Sequence, residues 1–349
     1  MKITKTTTPK QKPTSELGFG KYFSDHMLII NYENGKFLEP EIMPYQNIEL
    51  DPAAMVLHYG QEIFEGLKAY RTSSNEINLF RPYENAKRMN TSAERLCMPQ
   101  MDIDLWVDSV KELVNVERSW VPSEQGSSLY LRPFMIAVDP YIGVRASDSY
   151  KFITICSPVG NYYPSGINPV QIYVETDFVR AVKGGTGQTK SGGNYAASIK
   201  SQYNAKKIGY TQVLWLDGIE RKYIEEVGTM NVFFVIDNEV ITPSLEGSIL
   251  PGITRSSCIE LLNNMGYKVT ERKISINEIS EFAKNGTFKE MFGSGTAAVI
   301  SPVGELNIGG EIIKINNNEI GEISQKLYDK ITGIQRGDLK DDFNWIVKV

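Results

Sequence analysis

The stretch Lys183-Gly-Gly-Thr-Gly-Gln-Thr-Lys-Ser-Gly-Gly-Asn-Tyr195 sets Lys190 inside a segment with five glycines in ten residues. Glycine frees the backbone to wrap closely around a ligand. A lysine amine held in such a loop, partly shielded from water, gives up its proton more readily and condenses with an aldehyde. The same residues nearly fit the phosphate-binding pattern G-x-x-x-x-G-K-[ST], which would mark a nucleotide-binding protein. Thr189 stands where the last glycine of that pattern must be. A solvated surface loop is the third reading.

An aldehyde cofactor of the kind a Schiff-base lysine serves also needs an acid beside its ring nitrogen and an anion site for its phosphate. Tyr223-Ile-Glu-Glu-Val-Gly-Thr-Met-Asn231 offers Glu225 and Glu226. On a strand the two point to opposite faces, one inward and the other to solvent. Leu250-Pro-Gly-Ile-Thr-Arg255 feeds a helix whose first N–H groups lack intrahelical partners and so receive an anion. Phe292-Gly-Ser-Gly-Thr-Ala297 is a second glycine-rich turn with N–H groups and hydroxyls to offer. Arg88 carries a guanidinium suited to phosphate. Each has an ordinary counterpart when taken alone: an acidic turn, a capped helix, a simple turn, a surface arginine.

The elements that must hold these residues alternate between strand and helix. Met27–Glu33 is apolar and ends at the hairpin signal Asn34-Gly35. Arg81-Pro82 opens a helix with proline at its first position, and Ala86, Met89, Ala93 and Leu96 or Cys97 recur at helical spacing. Arg88 and Arg95 fall off that stripe. A second helix covers about Ile103–Ser119, and strands cover Leu129–Val138 and Tyr150–Ser157. After the turn-rich residues 160–169, the expected order is strand Val170–Glu175, the lysine loop, helix Asn194–Gly209, then strands Thr211–Asp217 and Met230–Asp237. A turn at Asn238-Glu239 leads into Glu239–Thr242. A helix Ile253–Met265 stops at Gly266, and a last helix lies near Glu319–Gly333. This order predicts an α/β (α+β) fold in two domains: a tail 1–18, a smaller domain 19–160, a connecting loop 161–169 and a larger domain 170–349 carrying the lysine.

Seven segments stand in one order: His58–Lys68, Leu79–Pro82, Lys190–Tyr195, Gln212–Leu216, Glu226–Asn231, Leu250–Arg255 and Gly293–Ala297. Together they resemble the branched-chain amino-acid aminotransferases of PLP fold type IV, in the longer form shared by animals and many bacteria. The likeness runs from about Phe19 to the C-terminus. It implies pyridoxal 5′-phosphate as cofactor and a two-step exchange of amino groups between L-leucine, L-isoleucine or L-valine and 2-oxoglutarate. Lys190 then matches the lysine that bonds the cofactor and moves the substrate Cα proton. Glu226 matches the partner of the ring nitrogen, and Tyr195 the residue bonded to O3′. Arg88, Ile253, Thr254 and Thr296 match the phosphate cradle. Tyr59, Phe64, Tyr162, Thr229, Met230 and Ala297 match the pocket wall, with Tyr130 and Arg132 near the carboxylate positions. Thr296 and Ala297 offer N–H groups to the α-carboxylate. Arg132, costly to bury without a charged partner, is expected at the pocket rim.

The likeness further implies that Ile142-Gly-Val144 reaches a neighbouring subunit, and hence a homodimer or larger assembly. Ala298 and Ser301 occupy the positions of the redox CxxC of animal members, so thiol regulation there is not expected. D-amino-acid aminotransferases and aminodeoxychorismate lyases are the neighbouring alternatives within fold type IV.

Composition narrows the field. The 349 residues carry a net charge of −5, with 41% hydrophobic and 23% charged residues, an ordinary globular balance. The chain has no excess of positive charge for nucleic acid and no apolar run long enough for a bilayer. Met1–Pro13 lacks the apolar core of a secretory signal and reads as a disordered tail. Cys97, Cys156 and Cys258, odd in number and set in apolar sequence, are expected as reduced core residues of a cytoplasmic protein. His26 and His58 are too few for a histidine-rich metal site, so no metal is expected.

Overall fold

The structure, a computed structural model, describes residues 1–13, 16–160 and 167–349. Within them the chain divides into two units. The first comprises the chain as far as Gly160, together with Thr189–Gly192 and Gly333–Val349; the second comprises Ile167–Gln188 and Gly193–Thr332.

The first unit contains β1 (Lys2–Ile3), β2 (His26–Glu33), β3 (Lys36–Phe37), β4 (Glu41–Pro44), α1 (Met55–Tyr59), β5 (Glu62–Phe64), β6 (Leu67–Arg71), β7 (Ile77–Phe80), α2 (Pro82–Arg95), α3 (Ile103–Val116), β8 (Ser128–Ala137) and β9 (Tyr150–Val159). The sheet runs β1-β4-β2-β9-β8-β6-β7 and ends on the C-terminal strand Ile346–Lys348, with β3 on β2 and β5 on β8. Asn34 and Gly35 both take positive φ (51° and 76°), the backbone that a two-residue hairpin between β2 and β3 requires. Pro82 opens α2 as expected. Its buried face of Ala86, Met89 and Ala93 joins Trp106, Val110 and Leu113 of α3 in one core with Leu28, Leu79, Leu131 and Phe152 of the sheet. Each Leu, Val, Met or Phe side chain among them contributes about 1.5–3 kcal/mol on burial. Asp102 caps α3 by accepting from Leu105 N at 2.8 Å.

Several expectations need correction here. Helix α2 ends at Arg95, and Cys97 takes φ 54° and is exposed, so it is not a core residue. Cys156 and Cys258 are buried, and burial pushes both thiols up. Helix α3 stops at Val116, short of the expected Ser119. The first thirteen residues are not a loose tail. β1 lies parallel to β4, Thr6 N donates to His26 Nε2 (2.9 Å), and Lys10 N donates to Asp25 Oδ1 (2.8 Å). These polar partners lie far off in sequence, so composition did not foretell them. Of the expected connecting loop, residues 161–166 lie outside the described residues.

The second unit contains β10 (Val170–Glu175), α4 (Gly192–Lys207, from its second residue on), β11 (Gln212–Leu216), β12 (Ile224–Val227), β13 (Met230–Ile236), β14 (Glu239–Thr242), α5 (Ile253–Asn264), β15 (Lys268–Glu271), α6 (Ile276–Lys284), β16 (Phe288–Gly295), β17 (Val299–Ile308), β18 (Glu311–Lys314) and most of α7 (Glu322–Arg336). Its strands run β12-β11-β10-β17-β16-β13, and β13 pairs again with β12, closing a ring. β14 and β15 extend from β13, and β18 from β17. Val174, Leu214, Val227, Phe234, Met291 and Leu306 fill the apolar core of this unit. Closure leaves β12 no free edge, and that strand carries both glutamates.

Candidate active site

In the first unit, Lys190 is fixed by its backbone neighbours. Its N–H donates to Ser92 Oγ of α2 (3.0 Å), and its carbonyl accepts from Phe64 N of β5 (2.9 Å). Gly192 N donates to the Glu62 carboxylate, and a Cβ at Gly192 would run into that carboxylate. Three donor–acceptor pairs thus hold Thr189–Gly192 to the first unit, although the residues before and after belong to the second. The expected placement of the lysine in the larger domain is corrected accordingly: the contacts of the loop, not its place in the sequence, decide its membership.

The Lys190 ammonium lies 4.8 Å from the centre of the Phe64 ring. Arg132 stacks over the same ring at 4.6 Å and donates from Nη2 to the Tyr130 hydroxyl at 3.0 Å. Gly66 leaves room for that hydroxyl, which a Cβ there would strike. The backbone alternation of β8 puts Tyr130 and Arg132 on one face. Arg132 is half-buried, and its Nε is buried without a hydrogen-bond partner among the described residues. Tyr59, at the end of α1, is exposed and donates to the Ile142 carbonyl. Tyr162 lies outside the described residues.

Arg88 is engaged by a carboxylate that the sequence reading overlooked. Its Nε and Nη2 donate to Glu65 Oε1 and Oε2 at 2.8 and 2.9 Å, and Asn85 Nδ2 donates to Oε2 at 2.7 Å. Glu65 is 0% exposed. Burial alone would raise its pKa, but the Arg88 charge and hydrogen bonds, the Lys190 charge and the Asn85 amide together hold it below the usual carboxylate range. Burial raises Glu62, against the opposing effects of the Gly192 N–H and Arg132.

In the second unit, Glu226 on β12 is 4% exposed and accepts from Leu250 N at 2.8 Å. The Leu250 carbonyl accepts from Asn231 Nδ2 at 2.9 Å, and a Cβ at Gly252 would collide with the Asn231 amide oxygen. The acid is thereby tied to the start of α5, where Ile253 and Thr254 are buried and no side chain caps the helix. Thr229 is exposed at the β12–β13 turn, and Met230 packs where a Cβ at Gly293 or Gly295 would fall. Thr296 and Ala297 form the half-buried turn between β16 and β17. Tyr195 is half-buried on the first turn of α4, beside Asn194, whose amide is clamped both ways by Thr186 at 2.8 Å. One of the two glutamates is expected to face solvent, but Glu225 is buried as well as Glu226, because β12 is covered on both faces.

Residues 62–306 match the family described as Amino-transferase class IV. The chain belongs to this family. Within it, the chain is 54% identical to branched-chain-amino-acid aminotransferase 2 of Bacillus subtilis (strain 168), over 100% of this chain and 96% of that one. It is 56% identical to a probable branched-chain-amino-acid aminotransferase of Staphylococcus aureus (strain N315), over 100% and 98%. The crystal structure of the Escherichia coli branched-chain amino acid aminotransferase superposes with a TM-score of 0.77 at 26% identity, covering 92% of this chain and 98% of that chain. The mixed α/β fold is accordingly that of the PLP fold type IV aminotransferases, and the nucleotide-loop reading of Gly184–Ser191 gives way to it. Among the described residues of this class IV aminotransferase, no helix is long and apolar enough to cross a membrane.

Proposed function

We propose that the chain exchanges amino groups reversibly between L-leucine, L-isoleucine or L-valine and 2-oxoglutarate, with pyridoxal 5′-phosphate carried on Lys190. Likeness to branched-chain-amino-acid aminotransferases along the whole chain, 54% in the Bacillus subtilis relative, carries this reading. The residues fit the cofactor. The uncapped start of α5 has N–H groups at Ile253 and Thr254 to give a phosphate, and the Thr254 and Thr296 hydroxyls add donors; the resemblance assigns the same ligand to Arg88. Glu226 is a buried carboxylate suited to a protonated ring nitrogen, and Tyr195 has a phenol for the ring oxygen. When bound, pyridoxal 5′-phosphate supplies a ring that draws off the electron pair left as the substrate Cα loses its proton.

The residues of the chain do the rest. Lys190 Nζ carries the Cα proton, and the two contacts on its backbone, with the third at Gly192, limit where that amine can go, which favours transfer over exchange with water. The resemblance assigns the packing of the branched side chain to Phe64 and Met230. Arg132, Tyr130 and Tyr59 meet the side-chain carboxylate of glutamate, and the Thr296 and Ala297 N–H groups take the α-carboxylate, with Thr229 beside them. Lys190→Ala removes both the covalent anchor and the proton carrier; near-normal turnover in that variant would refute the assignment.

We infer further that the chain assembles as a homodimer or larger homo-oligomer in the cytoplasm. Ile142 and Val144 are 67% and 85% exposed, an apolar loop tip that a partner subunit would cover. A monomer at micromolar concentration in sedimentation would contradict the assembly.

A further inference from the structure

Two adjacent carboxylates of β12 are more than nine-tenths buried, Glu225 at 7% and Glu226 at 4% exposure. The guanidinium beside them is that of Arg180, itself 9% exposed. Its Nη2 stands 3.3 Å from Glu226 Oε1 and also donates to the carbonyls of Ser248 and Gly187. Gly187 can approach so closely because a Cβ there would overlap the Ser248 carbonyl. The Ser248 hydroxyl in turn bonds Glu225 Oε1, while Glu225 Oε2 is buried without a hydrogen-bond partner among the described residues.

The charges do not balance if both glutamates are ionised. A buried ionised carboxylate is stable only when paired and hydrogen-bonded. Glu226 has Arg180 and the Leu250 N–H; Glu225 has one hydroxyl. Beside Glu225 lies a cavity of about 90 Å³ that brings no unspent cation. Its lysines, Lys183 and Lys273, both face Glu246 at 4.0 and 3.2 Å. Its other charged or titratable groups are Asp217, Glu220 and Tyr223. Burial pushes Glu225 up, Ser248 and Arg180 oppose that, and Glu226 and Asp217 add to it; the net direction is up.

We propose that Glu225 is a positioning residue that works as a neutral carboxylic acid, holding Ser248 so that the Ser248 carbonyl keeps Arg180 against Glu226. The functional consequence rests on reading Glu226 as the partner of the ring nitrogen; the protonation of Glu225 does not. The neutral acid leaves one arginine to one carboxylate. Were Glu225 to ionise, Arg180 would be shared and Glu226 less firmly held.

The first test uses the chain without cofactor. Urea unfolding is followed against pH for wild type, Glu225→Gln and Ser248→Ala. In wild type the unfolded chain releases the Glu225 proton as pH rises through the ordinary glutamate range, while the folded chain keeps it. Wild-type stability therefore falls with pH relative to Glu225→Gln, by a slope equivalent to about one proton. Ser248→Ala removes the hydroxyl but keeps the carbonyl, so its loss of stability extends to higher pH. Parallel curves for wild type and Glu225→Gln, or for wild type and Ser248→Ala, would overturn the proposal. Should Glu225→Gln not fold, the Ser248→Ala comparison decides alone.

The second test uses the holoenzyme. Glu225→Ala lowers kcat about tenfold, the size of one lost buried hydrogen bond, with KM little changed, and Glu225→Gln restores it. Failure of glutamine to restore kcat would overturn the neutral-acid role. Loss of the pH slope in the cofactor-free chain separates that failure from an error about Glu226, which Glu226→Ala tests separately through cofactor absorbance.

Discussion

Glu65→Ala leaves the Arg88 guanidinium buried without the carboxylate that engages its Nε and Nη2. Breaking one side of a buried pair costs about 3–5 kcal/mol, so this variant unfolds at distinctly lower urea. The Glu65→Leu, Arg88→Leu double variant recovers part of that loss, because no charge is left stranded. Additive losses across the cycle would show that the two side chains do not act as a pair. This pair also shows where sequence reading stops at the level of single residues. Lys190 stood out because a lysine among glycines is an unusual juxtaposition. Glu65 lies within the segment His58–Lys68, yet its partner is 23 residues away, and nothing in a lone glutamate says that it will be buried. Arg180 had no local signal. One glutamate of the Glu225–Glu226 pair is expected in solvent and neither is there, since alternation along a strand gives opposite faces but not whether both are covered.

At the level of elements, the entry to α5 links the acid to the helix start. Gly252 has φ −71°, which alanine adopts freely, so Gly252→Ala acts only by crowding the Asn231 amide. Asn231 then leaves the Leu250 carbonyl, and Leu250 shifts against Glu226. The expected result is cofactor affinity weaker by about tenfold, or roughly 1.4 kcal/mol, with little change in unfolding; unchanged affinity would contradict the link. The N-terminal strap makes a second case. Deleting residues 1–13 removes the Thr6 bond to His26 and the Lys10 bond to Asp25, whose other oxygen accepts from Trp120 Nε1 at 2.8 Å. One half-buried and one exposed bond, at no more than about 1 kcal/mol each, predict a loss of roughly 1–2 kcal/mol in urea unfolding. No change would mean that the strap only rests on the sheet. Periodicity and turn chemistry located α2, the Asn34-Gly35 hairpin and α5, because those signals are local. The strap was missed because its stabilising contacts are distant in sequence and polar.

For the molecule as a whole, element order suggests two domains, but it does not give the membership of the two units. Thr189–Gly192 and Gly333–Val349 belong with the first unit through contacts that no stretch of sequence displays. Stability against pH is a property at this scale. Lys68, buried in β6, is pushed down to about 8 by burial and by the Arg336 charge. Between that value and the ordinary lysine range the unfolded chain binds the proton and the folded chain does not, so stability rises with pH there. Lys68→Met removes this rise and is the more stable chain at neutral pH; parallel curves for the two would contradict the buried-lysine account.

The central claim is amino-group exchange through Lys190, and one absorption experiment addresses it most directly. The purified chain, supplied with pyridoxal 5′-phosphate, is followed as L-leucine and then 2-oxoglutarate are added. The account predicts a near-visible band that L-leucine bleaches and 2-oxoglutarate restores, and no such band in Lys190→Ala. A wild-type band that L-leucine leaves unchanged, or one that D-alanine bleaches in preference, would contradict it.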